Sequence, residues 1–396
     1  MTSTSNWIAP RVGEIQPSGI RKFFDQTQGC ADVIRLGVGE PDFSVPEPVR
    51  AACIRALQDG PTGYTPNAGL PELREAISEY MQGSFRLTYD PAREVLVTVG
   101  TSEAVDLALR TCIVPGDEVL IPAPGYVAYA PIAHLCGGKV VEVETNAAQK
   151  FKLTAEALAR RITDRSKVLI VNYPGNPTGA VMTEEDWLPV AALAVKHNLI
   201  VISDEVYAEL TYGKRHVSIA SLPGMRERTL VIGGFSKAFA MTGWRVGYAA
   251  CGNHDLLSAM LKIHQYTAMS APTPGQIAAL ASLQYGLEAK EAMKEVFDQR
   301  RRMFVSGLRE VGLPCHEPEG AFYAFPSVAP TGQDCEAFAE RLLLEAGVAA
   351  VPGRVFGKGG EGHIRFSYAA STENLERALE RIGRFLERVR IGVEAI

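Results

Sequence analysis

The sequence has no cysteine pair spaced as CxxC, no HxxxH pair and no apolar run long enough to span a bilayer. Its seven cysteines are scattered over 396 residues, which fits reduced thiols better than a disulfide framework and offers no zinc ligand set. Residues 1–10 lack a basic segment followed by an apolar one, so no secretory signal is expected. There is no excess of basic charge either: 40 Lys and Arg stand against 45 Asp and Glu, a net charge of −5. That balance argues against a nucleic-acid coat or a polybasic membrane module, although a local site can still be cationic. No predicted strand opens directly into a GxGxxG turn, which leaves a nicotinamide dehydrogenase with little support. Neither an internal repeat nor a low-complexity linker is present. The remainder is 46% apolar and 21% charged, the proportions of a globular chain, with length for two domains. A soluble, cytoplasmic protein without metal is expected.

The middle of the chain alternates short, nearly continuous apolar runs with helix-period segments. Strands are predicted at 94–99, 118–121, 139–143, 168–171, 200–203, 229–233 and 246–250. Helices are predicted at 102–112 and 183–197, the second opening on Thr183 and Asp186 as a capping box. Such alternation means βαβ units and a mostly parallel sheet. The last third differs. A helical stretch at 274–311 leads into a strand at 321–325, a helix at 335–346, strands near 348–351 and 363–368, and a terminal amphipathic helix. This α+β pattern suggests a second, smaller domain, on which the aperiodic arm before Val45 is expected to pack.

Four stretches fall at predicted strand ends. Lys237 follows the strand 229–233 within a Gly-rich segment, with Arg245 eight residues later. A lysine at a strand end can be desolvated, which lowers its pKa and makes it a nucleophile, and an arginine offers a fork for a phosphate. Asp204, Glu205 and Tyr207 close the strand 200–203, at the carboxyl edge where open α/β sheets bind ligands. Asn172 to Gly179 close the strand before it. Gly100, Thr101 and Ser102 join a strand to a helix N-terminus, a natural phosphate cradle.

With these motifs in this order (NPTG at 176–179, SDEVY at 203–207, SKAFAMTGWRVGY at 236–248), the sequence resembles the class I aminotransferases of fold type I. The likeness runs from Leu36 to Tyr368. It implies a mostly parallel, seven-stranded sheet sandwiched by helices, plus a smaller α+β domain. The large, cofactor-binding domain would cover 46–287 and the small one both chain ends, 1–45 and 288–396. The resemblance also implies pyridoxal 5′-phosphate, held covalently by Lys237. Asp204 would pair with the ring nitrogen, Tyr207 and Asn176 would bond the ring 3′ oxygen, and Tyr126 would stack on the ring. Arg245, Ser236, Gly100, Thr101 and Ser102 would hold the phosphate, joined by Tyr64 of the partner in a homodimer with shared sites. Arg365 and Asn176 would clamp the substrate α-carboxylate under the loop at Gly39. Gly234 departs from the serine of some relatives, which shifts phosphate binding toward Ser236, Arg245 and the helix amides. Tyr126 replaces a frequent tryptophan. Asn176–Pro177 is a cis candidate, and Ala123–Pro124 a weaker one.

The resemblance implies transfer of an amino group from an L-amino acid to a 2-oxo acid, expected to be 2-oxoglutarate, by ping-pong kinetics. The segment 18–25 is similar to the N-terminal gate of a subgroup that includes aromatic and aspartate aminotransferases, with Ile20 and Phe24 walling the side-chain pocket. Arg21 or Lys22 is placed to meet a distal carboxylate, or else faces solvent. The stretches 216–228 and 261–266 look most like N-acetyl-LL-diaminopimelate aminotransferases. The donor stays open among these three. The alternative on the same fold is a β-lyase. A regulator with an N-terminal DNA-binding domain is not expected, because the family pattern starts by Leu36.

Overall fold

A computed structural model describes residues 7–20, 32–60 and 62–394, with side chains up to 389. The strands in chain order are β1 (Ile34–Arg35), β2 (Val95–Thr98), β3 (Glu118–Ala123), β4 (Lys139–Glu144), β5 (Ser166–Asn172) and β6 (Ile200–Asp204). They continue with β7 (Thr229–Gly234), β8 (Gly247–Ala250), β9 (Tyr323–Ala324), β10 (Val348–Ala349), β11 (Val351–Pro352) and β12 (Ile364–Ser367). Seven of them form one sheet in the order β2-β8-β7-β6-β5-β3-β4, parallel except for β8. The expected seven-stranded, mostly parallel sheet is therefore present, with each strand within two residues of its predicted bounds.

The sheet is apolar on both faces because successive side chains leave a strand on opposite sides. Leu96, Ile170, Ile202, Leu230, Ile232 and Ala249 enter one core, which holds the helices Gly100–Cys112 and His254–Thr267. Val97, Leu169, Val171, Val201, Val231 and Tyr248 enter the cores on the other face. There Trp187 of the helix Glu184–Lys196 is 1% exposed. That helix starts where the sequence says: Thr183 accepts from the Asp186 amide and Asp186 accepts from the Thr183 amide.

A smaller antiparallel sheet, β11-β12-β9, lies beside a separate core built from the helices Leu287–Glu310, Cys335–Ala346 and Thr372–Glu394. Ile34 and Leu36 join this core, and β1 pairs in parallel with β10. Residues 34–36 of the arm thus pack against elements from the C-terminal third, whereas its first described helix, Pro10–Gly13, lies against the helix Tyr129–Leu135, with Glu14 paired to His134 at 2.8 Å. Two helices that the periodicity does not mark, Glu47–Asp59 and Pro71–Phe85, each open on a proline in the first turn.

The direction of β8 positions the site. β2, β5, β6 and β7 all end at one edge of the sheet. β8 runs the other way, so its first residue, Gly247, lies at that same edge, paired with both Thr98 and Gly234. The segment from Lys237 to Arg245 leaves the edge after β7 and returns to it before β8. Asn176–Pro177 and Ala123–Pro124 are both cis, and so is Tyr173–Pro174, which the sequence reading does not anticipate.

Candidate active site

A cavity of about 450 Å³ opens at this edge, lined from four strand ends and from the arm. Its walls include Thr101, Ser102, Tyr126, Asn176, Asp204, Tyr207, Ser236, Lys237, Arg245 and Arg365, together with Gly39 and Ile20. The sequence-marked residues thus converge, except for Gly100, Tyr64 and three residues of the arm. Gly100 sits just behind the wall, where a Cβ would come within 2.5 Å of the Arg245 guanidinium. Tyr64 lies away from the cavity and is 83% exposed. Arg21, Lys22 and Phe24 lie outside the described residues.

The turn between β2 and the helix Gly100–Cys112 follows from local chemistry. Gly100 takes a φ of +76°, open to glycine, and its bareness admits Arg245 to the turn. Arg245, itself left-handed at φ +56°, donates to the Thr242 carbonyl at 2.9 Å. Glu103 accepts from the Val99 amide at 2.5 Å and meets buried His264 at 2.8 Å, which pins the turn before the helix. Gly234 has a steric reason for lacking a side chain: a Cβ there would lie 2.9 Å from the Thr101 methyl.

Asp204 is 4% exposed. It accepts from the Tyr129 hydroxyl at 2.7 Å and from the Val206 amide at 3.2 Å. Burial pushes its carboxyl up to about 6, against those two hydrogen bonds. Asn172 supports the same turn, donating to the Asp204 carbonyl and accepting from the Asn176 amide. Lys237 donates to the Gly39 carbonyl at 2.6 Å. Burial pulls its ammonium down to about 8, with Arg365 and Arg245 adding repulsion and Glu40 opposing them. The Tyr207 hydroxyl meets that of Tyr323 at 2.7 Å.

Arg365 is 1% exposed and pairs with no carboxylate among the described residues. It donates to Asn176 Oδ1 at 2.7 Å and to the Gly37 carbonyl at 2.6 Å, and its Nε has no partner. Burial lowers its pKa, which means the site disfavours the bare cation and favours an arriving anion. Among the described residues, three cations therefore face a single carboxylate across the cavity wall. The residues fit a ligand with an anionic tail for the cradle, a protonated ring nitrogen for Asp204 and a carbonyl carbon for Lys237. They also fit a second, carboxylate-bearing molecule at Arg365.

Tyr129 and Tyr323 are site residues that the sequence reading misses, and Asn172 is one that it marks only as part of a stretch, with no role. Tyr129 had a signal, since it stands one helical turn after Tyr126, and their rings meet edge to face at 5.4 Å. Asn172 opens the very stretch that holds Asn176. Tyr323 had none, because it arrives from a different sheet.

Asp204 supplies a stability prediction. Its folded pKa lies above the unfolded value of 3.8, so its contribution is favourable below about pH 4 and is lost as pH rises through about 6. At pH 7 the ionised group costs the ligand-free fold stability. Asp204→Asn should therefore stabilise the ligand-free protein by about 2 kcal/mol at pH 7, with the gap closing toward pH 4. Thermal denaturation at the two pH values checks this, and a lower melting temperature at pH 7 contradicts it.

Comparison with known proteins gives a consistent result. The family model described as aminotransferase class I and II matches residues 31–382. YugH of Bacillus subtilis, named to the level of aminotransferase without a substrate, is 52% identical, over 97% of this chain and 99% of its own. The aspartate aminotransferase of Pyrococcus abyssi is 45% identical, over 96% of this chain and 98% of its own. The solved aromatic aminotransferase of Pyrococcus horikoshii OT3 superposes with a TM-score of 0.88 at 45% identity. That alignment covers 92% of this chain and 99% of the other.

Proposed function

The chain belongs to the class I and II aminotransferases, and from that premise we propose that it uses pyridoxal 5′-phosphate to move an amino group from an L-amino acid to 2-oxoglutarate. The observation that carries this reading is a partly buried amine, Lys237, with its pKa drawn to about 8 beside one buried carboxylate and two cations that have no carboxylate partner among the described residues. Lys237 holds the cofactor. Asp204, ionised above about pH 6, pairs with the ring nitrogen. Tyr207 and Asn176 would bond the ring 3′ oxygen, and Tyr126 would stack on the ring. Gly100, Thr101, Ser102, Ser236 and Arg245 take the phosphate. When bound, pyridoxal phosphate supplies an electron sink that lets the donor's Cα release a proton.

The chain's own groups do the rest. Arg365 and Asn176 grip the donor's α-carboxylate, with Gly39 and Ile20 closing over it. The two forks of the guanidinium fix the orientation of Cα. The amine of Lys237, once free, would be the base that takes the proton from the donor's Cα and returns it on the side of the cofactor. One base beside both carbons makes the shift effectively intramolecular. Water would release the first 2-oxo acid while the donor's nitrogen stays in the site, and a second 2-oxo acid would take up that nitrogen, with loss of water, through the same proton transfers in reverse.

The same reading assigns a homodimer with shared sites, in which the partner's copy of Tyr64 reaches the phosphate. In support, Tyr64, Tyr266 and Met269 are exposed at 83%, 92% and 44%, and Asn67 bonds the Met269 carbonyl on that face. Large apolar side chains left exposed in neighbouring segments are what a surface covered by a second copy would present. The division into bodies of 46–287 and of both chain ends, 1–45 with 288–396, belongs to this reading and is supported by the core in which Ile34 and Leu36 join residues of the C-terminal third, with Val206, Tyr207, Leu210 and Tyr212 entering it from the larger body. Among the described residues no helix is long and apolar enough to cross a membrane. A cytoplasmic enzyme of amino-acid metabolism is our assignment.

The donor is N-acetyl-LL-diaminopimelate, an aromatic amino acid or aspartate. Near the arm the described cavity wall is uncharged, formed by Ser18, Ile20, Val38 and Val127. That suits an aromatic or acyl chain better than a bare distal carboxylate. A panel of these donors with 2-oxoglutarate separates them, and kcat/KM for the preferred donor should exceed the others by about 10²-fold. Release of ammonia or thiol without any 2-oxo acid would instead support the β-lyase.

A further inference from the structure

Tyr323 is buried on β9, 1% exposed, and belongs to the wall of the cavity. Its hydroxyl lies 2.7 Å from that of Tyr207, with either oxygen able to donate. Its ring centroid lies 4.5 Å from the Arg365 guanidinium carbon. A Cβ on Gly39 would come within 2.1 Å of its hydroxyl oxygen, so the arm passes directly over this group. The side chain thus touches the two groups that face the cofactor ring and the substrate carboxylate in the proposed function, yet neither role is its own.

We propose that Tyr323 is a positioning residue for amino transfer, its hydroxyl donating to Tyr207 and its ring holding the Arg365 guanidinium flat. This deepens the function proposed above and rests on it. Two phenols in contact share one proton and have one to spare. Among the described residues each hydroxyl has only the other as a hydrogen-bond partner. If Tyr207 turns its proton to a ligand oxygen, the proton between the phenols must come from Tyr323. Chained hydrogen bonds polarise one another, so Tyr207 then becomes a stronger donor. A ring oxygen held by a stronger donor has less charge left to hold a proton on the nitrogen of Lys237, 5.9 Å from the Tyr207 ring centroid. Burial raises the pKa of both phenols, which keeps them protonated for this work.

The test is a pH titration of the visible band of the holoenzyme, in wild type, Tyr323→Phe, Tyr323→Leu and Tyr207→Phe. Tyr323→Phe should raise the midpoint by about half to one pH unit, in the same direction as Tyr207→Phe and by less. It should lower kcat by about three- to tenfold while the donor KM stays within about twofold, because the ring still faces Arg365. Tyr323→Leu removes the ring as well and should raise KM by about tenfold. Tyr323→Phe should also relieve Gly39→Ala, since the nearest remaining ring carbon stands 3.2 Å from the added Cβ. A coloured Tyr323→Phe enzyme with the wild-type midpoint overturns the hydroxyl's role alone. A wild-type protein that never takes up pyridoxal phosphate overturns the cofactor reading and the proposal with it.

Discussion

Lys237→Ala is expected to fold and to lose turnover by about 10⁴-fold or more. The size follows from the number of tasks that meet at one atom. Lys237 Nζ is the amine whose pKa has been brought to about 8, so an appreciable share is neutral near physiological pH. In the proposed cycle it both holds the cofactor and moves the proton between two carbons. Among the residues lining the cavity no second lysine stands in reserve, and Tyr207 is held protonated by burial and by its bond to Tyr323. Removing the amine should not unfold the chain. A desolvated cation beside Arg365 and Arg245 is an electrostatic burden, and its one hydrogen bond, to the Gly39 carbonyl, is at the cavity wall. Steady-state turnover with donor and 2-oxoglutarate checks the loss, with thermal denaturation as the folding control. Retention of activity within about tenfold of wild type contradicts the assigned role.

Arg365→Met is expected to lower kcat/KM for every amino donor by about 10²- to 10³-fold, with cofactor uptake intact. Arg365 is a buried cation held by two neutral oxygens, Asn176 Oδ1 and the Gly37 carbonyl, with Nε unpartnered. A carboxylate that enters recovers a charge-assisted, bidentate pair in a site screened from water. Methionine keeps most of the apolar volume packed against Tyr323 and Phe356, whose ring centroids lie 4.5 Å and 5.0 Å from the guanidinium carbon. The loss therefore reports the charge rather than a collapsed core. Lysine restores the charge without the planar fork and should recover only about tenfold of the deficit. Donor kinetics combined with a cofactor absorbance measurement separate the two effects. An Arg365→Met enzyme with unchanged donor KM contradicts the clamp.

The parts of this site that were legible in the sequence are those where local pattern and position coincide. Asp204 closes an apolar strand, Lys237 follows another, and Gly100 to Ser102 join a strand to a helix. Each can be placed on the carboxyl edge by counting strands alone. Arg245 was legible only as part of a motif. Its physical reason, the antiparallel β8 that carries it back to the edge, lies in a strand direction that periodicity does not encode. Tyr323 was not legible at all. It stands 116 residues from Tyr207 and reaches it from a two-residue strand in the smaller sheet. The resemblance supplied roles, and the fold supplies contacts those roles do not mention, such as Tyr129 on Asp204 and Thr101 against the bare Gly234. The two N-terminal gate cations, Arg21 and Lys22, bear on the donor and lie outside the described residues, so donor choice rests on the uncharged wall at Ile20 and Val127.

The central claim is that amino transfer occurs in two separable halves at Lys237. It is tested most directly by mixing the holoenzyme with a preferred amino donor in the absence of any 2-oxo acid while recording its visible spectrum. The account predicts that the band is lost once, that one 2-oxo acid forms per site and that the reaction then stops. Adding 2-oxoglutarate should restore the band. Continuous formation of product and ammonia from the donor alone, or a spectrum that the donor leaves unchanged, would contradict it.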